Sequence, residues 1–284
     1  MAAIHQLIVR NASLKGQSVD LYITGNRISR IVPHPSASVS SPDSPDAVCV
    51  DAQGMSVFPA FYNTHNHAAM TLLRGYADDL LLMEWLEKHI WPAEARFTDE
   101  HIRVGVRLAC LEMIKSGTVF FNDMYWKEEV ALPVVEAMGL RAALGVLLID
   151  TQDSREQERN FGLLEQFVPK PDGRVSLAVA PHSVYTVSGK LLRKSAEAAR
   201  RNGQKIHIHL CETQGEVESC LKQHGCTSVA YLDRMGFLGD DVIAAHVVHV
   251  TDEDIRLLAE RGVTVAHCPV SNMKLSSGIA PVQK

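Results

Sequence analysis

The chain has 284 residues, 46% of them apolar and 21% charged, with a formal net charge of −5. That length carries one large domain or two small ones, in a composition ordinary for a globular protein. The acidic balance leaves no basic footprint for nucleic acid or an anionic membrane.

No run reaches the roughly 18 uncharged apolar residues needed to span a bilayer. The strongest candidate, Leu140 to Ile149, is short and contains Arg141. The opening residues, Met1-Ala-Ala-Ile-His-Gln-Leu-Ile-Val-Arg10, lack the basic start and long apolar core of a signal peptide. Six cysteines (49, 110, 211, 220, 226 and 268) are scattered, with no Cys-x-x-Cys pair. A reducing cytosol is therefore expected, rather than a disulfide framework or an all-thiolate zinc site.

Short β-rich segments come first: Gln6–Arg10, Val19–Ile23 and Arg27–Val32, the last two separated by Gly25-Asn26. A Pro/Ser-rich loop over 33–46 and a strand over Ala47–Val50 complete a small β-domain, 1–54, read as the N-terminal part of a β-sandwich-like unit. From residue 55 strands and helices alternate. Strands are expected at Ser56–Tyr62, Thr118–Asp123, Arg141–Leu148, Arg174–Ala180, Lys205–Leu210, Val242–His246 and Val263–His267. Helices are expected at Asp99–Ser116, Glu128–Met138, Gly189–Asn202 and Asp252–Arg261. Apolar strands alternating with helices make a parallel sheet, and seven of them point to a (β/α)8 barrel of TIM type over 55–284. A doubly wound nucleotide-binding sheet would want a glycine-rich turn after an early strand, and none is present. With seven strands of eight, the reading expects a further strand beyond Lys284, and little turnover from these residues without it.

His65, His67, His182, His209, Glu212, His246 and His267 all fall at or just past the C-terminal ends of these strands. In a barrel those ends form one face, where active sites are built. His65 and His67 are two apart, so on a strand they point to one side and can grip one metal ion. His209 adds a third imidazole, and Glu212, three residues later, a candidate proton carrier. Taken alone, a His-x-His pair is as compatible with a packed turn, and Glu212 with a cap on the helix that follows. The constellation nevertheless reads as metal-assisted hydrolysis.

The flanking residues sharpen this. Pro59-Ala-Phe-Tyr-Asn-Thr-His-Asn-His67, followed by Leu72-Leu-Arg-Gly-Tyr-Ala-Asp-Asp79, closely resembles the deaminase and chlorohydrolase branch of the amidohydrolase superfamily, although Ala60 stands where the motif has glycine. His209-Leu-Cys-Glu212 is similar to the family's fifth-strand motif. Across 58–125 the chain looks most like 5-methylthioadenosine/S-adenosylhomocysteine deaminases, notably in Leu72 to Leu86 and His89-Ile-Trp-Pro-Ala-Glu94. The similarity continues through Phe121-Asn-Asp-Met-Tyr125 and Ser271-Asn-Met-Lys-Leu275.

The resemblance implies a set of roles. His65, His67 and His209 would be ligands of one divalent metal, zinc foremost, with iron, manganese or nickel as alternatives. An aspartate on an eighth strand would be the fourth ligand. Glu212 would be the general acid/base, and His246 would hydrogen-bond the metal-bound water and polarise the attacked centre. His182 would contact substrate, Glu94 would accept from ribose hydroxyls, and His267 would support the site from behind. His207 is read as structural and His249 as a loop residue. The substrate would be an adenine nucleoside losing its 6-amino group. Guanine or purine deamination, triazine-type chlorohydrolysis, or a catalytically silent binding module are the competing readings. Val146 stands where some members have a carboxylate-clamping arginine, and Arg155 or Arg159 could supply the second, so weak handling of S-adenosylhomocysteine is expected. Dimerisation is common among such proteins.

Overall fold

The computed structural model describes residues 6–35, 47–170 and 173–284, so the loop expected at 33–46 falls, from residue 36 on, outside the described residues. The chain divides into two compact units, Met1–Ala60 and Phe61–Lys284.

In the first unit, β1 (Gln6–Leu14), β2 (Gln17–Thr24) and β3 (Arg27–Pro33) pair antiparallel, and β4 (Val48–Asp51) joins β1 in parallel. The sheet order is β3-β2-β1-β4. β1 runs four residues past its expected end because polar Asn11 sits in a bulge instead of terminating the strand. The bulge falls between Val9 and Ala12; Asn11 is left-handed (φ 57°) and donates its N–H to Asp20 Oδ1 at 2.8 Å. Ala12, Val19, Leu21 and Ala52 form the small core.

The second unit is a seven-stranded parallel sheet, order β11-β10-β9-β8-β7-β6-β5, that curves as the wall of a (β/α) barrel. Its strands are β5 (Phe61–Asn66), β6 (Thr118–Tyr125), β7 (Arg141–Leu148), β8 (Val175–Pro181), β9 (Ile206–Leu210), β10 (Val242–His246) and β11 (Thr264–Ala266). Between β5 and β6 lie a 3-10 turn (Ala68–Leu73), α1 (Leu82–Trp85), a π-helical turn (Leu86–Ile90), α2 (Trp91–Glu94) and α3 (Asp99–Lys115). The remaining helices are α4 (Glu128–Met138), α5 (Ser154–Gln166), α6 (Gly189–Arg201), α7 (Gln214–His224), α8 (Ser228–Arg234), α9 (Asp252–Glu260) and α10 (Pro269–Lys274).

β5 begins five residues later than expected, at Phe61 instead of Ser56. The apolar run 56–58 belongs to the first unit: Ser56 bridges Ser13, and the Val57 N–H donates to Ser13 O at 2.9 Å. Pro59 then offers no N–H to a ladder. As a result, His65 lies within β5.

The helices bury one face each against the sheet. In α6 these are Leu191, Leu192, Ser195, Ala196, Ala198 and Ala199, at helical spacing, behind a Ser188 cap that accepts from the Leu191 N–H. Leu144, Leu148, Val179, Ile206, Ile208 and Val242 are fully or almost fully buried on the strands. Each such side chain contributes about 1.5–3 kcal/mol of hydrophobic stabilisation. Gly145 in β7 is a steric requirement, since a Cβ there would lie 2.5 Å from Asp123 O. Among the described residues, no helix is long and apolar enough to cross a membrane.

Candidate active site

Three strands, β5, β9 and β10, bring their C-terminal ends together around His65. Its ring centroid lies 4.8 Å from those of His67 and His209, 5.0 Å from His207 and 5.2 Å from His246. The ligand atoms of His65, His67 and His209 all lie within 4.8 Å of one another.

The hydrogen bonds behind these rings fix which nitrogen faces inward. His67 Nδ1 lies 2.7 Å from Met124 O, and His209 Nδ1 lies 2.8 Å from His182 O. A carbonyl only accepts, so both Nδ1 atoms carry hydrogen and both Nε2 atoms present lone pairs. Those two Nε2 atoms stand 3.3 Å apart. Two lone pairs facing each other at that distance repel, and a cation placed between them would relieve the repulsion. Burial, above all, lowers the pKa of His65, His67 and His209, with neighbouring imidazoles adding to the effect at His65 and His209. Neutral imidazoles are the ligand form, so the donor set fits a divalent transition metal such as zinc.

Local sequence explains how the first two are held. After His67 the chain turns abruptly through Ala68 and Ala69, both fully buried, under α3. Gly105 of α3 presses so close that a Cβ there would lie 2.5 Å from Ala69 O, and Thr71 Oγ1 donates to Gly105 O at 2.8 Å. On the other side, Asn122 Nδ2 donates to Thr64 O at 3.1 Å and Asp123 Oδ1 accepts the Ala68 N–H at 2.8 Å. The segment Thr64–Ala68 is thus clamped by the end of β6.

Glu212 follows β9 and is buried. The cap of α7 is Thr213, whose Oγ1 accepts the Glu216 N–H at 3.2 Å, so Glu212 is not the cap. Its place is set by Glu216, which accepts the N–H groups of Cys211 (2.7 Å) and Glu212 (2.9 Å) with one oxygen each. This holds Cys211 in the left-handed region, at φ 52°. Burial, with the Glu216 carboxylate adding to it, pushes Glu212 up to about 8. Near neutral pH it therefore holds its proton.

His246 ends β10 with φ 76°, and Val247 follows at φ 47°. Backbone this unfavourable for non-glycine residues persists only where the surroundings impose it. His246 Nδ1 donates to Asn272 Oδ1 at 2.8 Å, and Asn272, on α10, is buried. His246 Nε2 then faces Glu212 Oε2 at 3.6 Å, too far for a direct hydrogen bond. Burial lowers His246 to about 4 and His182 to about 3.

These groups line an inner pocket of about 110 Å³ that includes His67, His182, His209, Glu212 and His246. A second cavity of about 1120 Å³ shares Trp91, Glu94, Tyr125, Trp126, Ile149 and Tyr185 with it. Glu94 thus borders both. It accepts from Tyr125 Oη at 2.6 Å and Trp126 Nε1 at 3.4 Å, while burial raises its pKa. It is no freely solvated helix-end charge.

Other expected residues lie elsewhere. His267, just past the end of β11 at Ala266, is exposed, and the side chain that supports His246 is Asn272. His249 is a loop residue donating Nε2–H to Ser277 O at 2.5 Å. Val146 is buried in β7, Arg155 and Arg159 are exposed, and none of the three lines either cavity. Sequence reasoning missed Glu216 and Asn272. Thr213-x-x-Glu216 carries the spacing of a capping box, which could have drawn attention to Glu216; nothing local marks Asn272.

Several known proteins are similar to this chain. The chain is 49% identical over 250 residues to the 5'-deoxyadenosine deaminase of Methanosarcina mazei, covering 87% of this chain and 58% of that protein. It is 44% identical to the enzyme of the same name from Methanothrix thermoacetophila, covering 97% and 64%. It is 47% identical to the 5-methylthioadenosine/S-adenosylhomocysteine deaminase of Thermodesulfovibrio yellowstonii, covering 81% and 53%. The chain therefore spans between half and two thirds of the length of these relatives. Among solved structures, a zinc-bound adenosine deaminase from Xanthomonas campestris superposes with a TM-score of 0.88 at 34% identity, over 97% of this chain and 65% of that one. The zinc-bound atrazine chlorohydrolase of Arthrobacter aurescens, at 22% identity and a TM-score of 0.81, shares the fold. Residues 56–284 match the model of the Amidohydrolase family, and this chain belongs to that family.

Proposed function

We propose that this chain binds one divalent metal through the Nε2 atoms of His65, His67 and His209 and serves hydrolytic deamination of adenine nucleosides. The 5'-deoxyadenosine, 5-methylthioadenosine, S-adenosylhomocysteine and adenosine type is meant. The observation that carries the reading is Glu212: a buried carboxyl, pushed up to about 8, in the same pocket as His67, His209 and Glu94. The names of the relatives support the substrate class. Zinc is the first choice of metal, supported by the zinc-bound structure at 34% identity.

A divalent cation held there supplies a water acidic enough to attack near neutral pH. Everything else is done by the chain's own side chains. Glu94 accepts hydrogen bonds from the ribose hydroxyls and so aims the purine at the inner pocket, a vicinal diol being matched to a two-oxygen acceptor. The protonated Glu212 donates to a ring nitrogen beside C6, which makes that carbon electrophilic. As a carboxylate it then takes one proton of the water oxygen added at C6 and delivers it to the departing amine, and the second proton of that oxygen returns to Glu212 as the C6 carbonyl forms. The C6–N bond breaks, a C6–O bond has formed, and ammonia leaves an inosine-type product. His246, fixed by Asn272, stands where it can hydrogen-bond the oxygen added at C6. All six cysteines are unpaired, which supports a reducing, cytosolic setting.

Adenosine, 5'-deoxyadenosine, methylthioadenosine, guanine and a chlorotriazine should be compared on the zinc-loaded protein. Binding is read from Trp91 and Trp126 fluorescence, and turnover from ammonia or chloride. The rank order decides, whatever the absolute rate. Adenine nucleosides are expected to lead in both; a lead for guanine or the triazine overturns the assignment.

A further inference from the structure

Two of the three inward-facing imidazoles give Nδ1–H to a backbone carbonyl. The third does not. His65 Nδ1 lies 2.9 Å from Nε2 of His207, a fully buried side chain on β9. An imidazole nitrogen, unlike a carbonyl, can donate or accept, so this contact alone leaves open which nitrogen of His65 carries hydrogen. The far side of His207 decides it. His207 Nδ1 lies 3.2 Å from Asp123 O, which can only accept, so Nδ1 carries the hydrogen and Nε2 of the neutral ring is the acceptor. His65 must then donate from Nδ1, and its Nε2 is left with a lone pair. Room for the Asp123 carbonyl is secured by Gly145, where a Cβ would come within 2.5 Å of that oxygen.

We propose that His207 is a positioning residue for the metal centre, setting the tautomer and ring orientation of His65 through the relay His65 Nδ1–H to His207 Nε2 and His207 Nδ1–H to Asp123 O. The inference rests on the metal site proposed above, and it replaces the structural role expected for His207 with a defined one. His65 sits on β5, an end strand of the described sheet whose ladder with β6 is irregular between Asn63 and Asn66. The relay ties it across the barrel to β9 and back to β6. Partners that orient metal ligands are worth about 10- to 100-fold in affinity when removed.

The test uses His207→Leu and His207→Gln, with zinc affinity measured by competition with a chromophoric chelator and folding followed by thermal melting without metal. His207→Leu removes the acceptor and should weaken zinc binding by about 10- to 100-fold. His207→Gln keeps one acceptor and one donor and should bind zinc close to the unsubstituted protein. Unchanged affinity in a folded His207→Leu protein overturns the proposal. So does a Gln variant as weak as Leu. Should Leu fail to fold, the unsubstituted protein still decides: 15N-histidine NMR without metal should show the hydrogen of His65 on Nδ1, and finding it on Nε2 refutes the relay. If the unsubstituted protein takes up no zinc, the metal-site reading itself falls, and the proposal with it.

Discussion

Glu216 accepts the backbone N–H of Glu212 at 2.9 Å and that of Cys211 at 2.7 Å, so one buried carboxylate holds the chain segment that carries another. The arrangement sets the direction of Glu212 and raises its proton affinity at once. Replacing Glu216 with alanine orphans two buried N–H groups. At about 1–3 kcal/mol for each, the expected loss is on the order of 2–6 kcal/mol, read from urea denaturation. Glu216→Gln retains one acceptor oxygen and should lose less.

For Glu212 itself, substitution by glutamine preserves shape and removes the exchangeable proton. General acid–base catalysis of this kind contributes about 10²- to 10⁴-fold, and kcat should fall within that range. Zinc content by elemental analysis should stay at the unsubstituted level, because Glu212 is not among the ligands proposed. An unchanged kcat would remove Glu212 from the chemistry.

Glu94 is assigned to the sugar. Charge-assisted hydrogen bonds contribute about 1.5–3 kcal/mol, so Glu94→Gln should weaken nucleoside binding by about 10- to 100-fold. A 2',3'-dideoxynucleoside should bind the variant and the unsubstituted protein alike. Equal losses for both ligands would mean that Glu94 acts by shaping the pocket with Tyr125 and Trp126.

A second buried acid sits outside the chemistry. Glu128, at the start of α4, is 1% exposed, and the Tyr125 backbone only partly offsets the burial of its carboxyl. Burial pushes it well above the ordinary carboxyl range, and the nearby Asp123 carboxyl adds to the shift. A carboxyl raised in the folded state contributes stability that is fully present below its unfolded value, about 4.3. That contribution is lost as pH rises through the folded value. Glu128→Gln, neutral throughout, should therefore raise Tm at pH 8 and change it little at pH 4.5. Equal shifts at both pH values would argue that Glu128 is ionised in the fold.

Strand–helix alternation and the clustering of histidines at strand ends were legible because both are periodic or local properties of the chain. Apolar runs of strand length, separated by helix-length stretches, admit few packings, and a parallel sheet places its C-terminal ends on one side. His65, His67, His209, Glu212 and His246 could be singled out on that basis, with the family resemblance supplying their roles. The start of β5 could not, since the apolar segment 56–58 satisfies a strand pattern equally well in either unit. Pairing with Ser13 decided it.

What the tertiary structure alone decided is the hydrogen-bonded surroundings of each site residue. His207 meets His65 across 142 residues, Glu216 turns back onto the segment before its own helix, and Asn272 reaches His246 from 26 residues downstream. Which nitrogen of an imidazole faces a cation depends on partners brought close by strand order and register, and these leave no mark on the spacing of residues along the chain. The sequence determines which groups are available for chemistry; their protonation and direction follow from burial and from the carbonyls that folding places behind them.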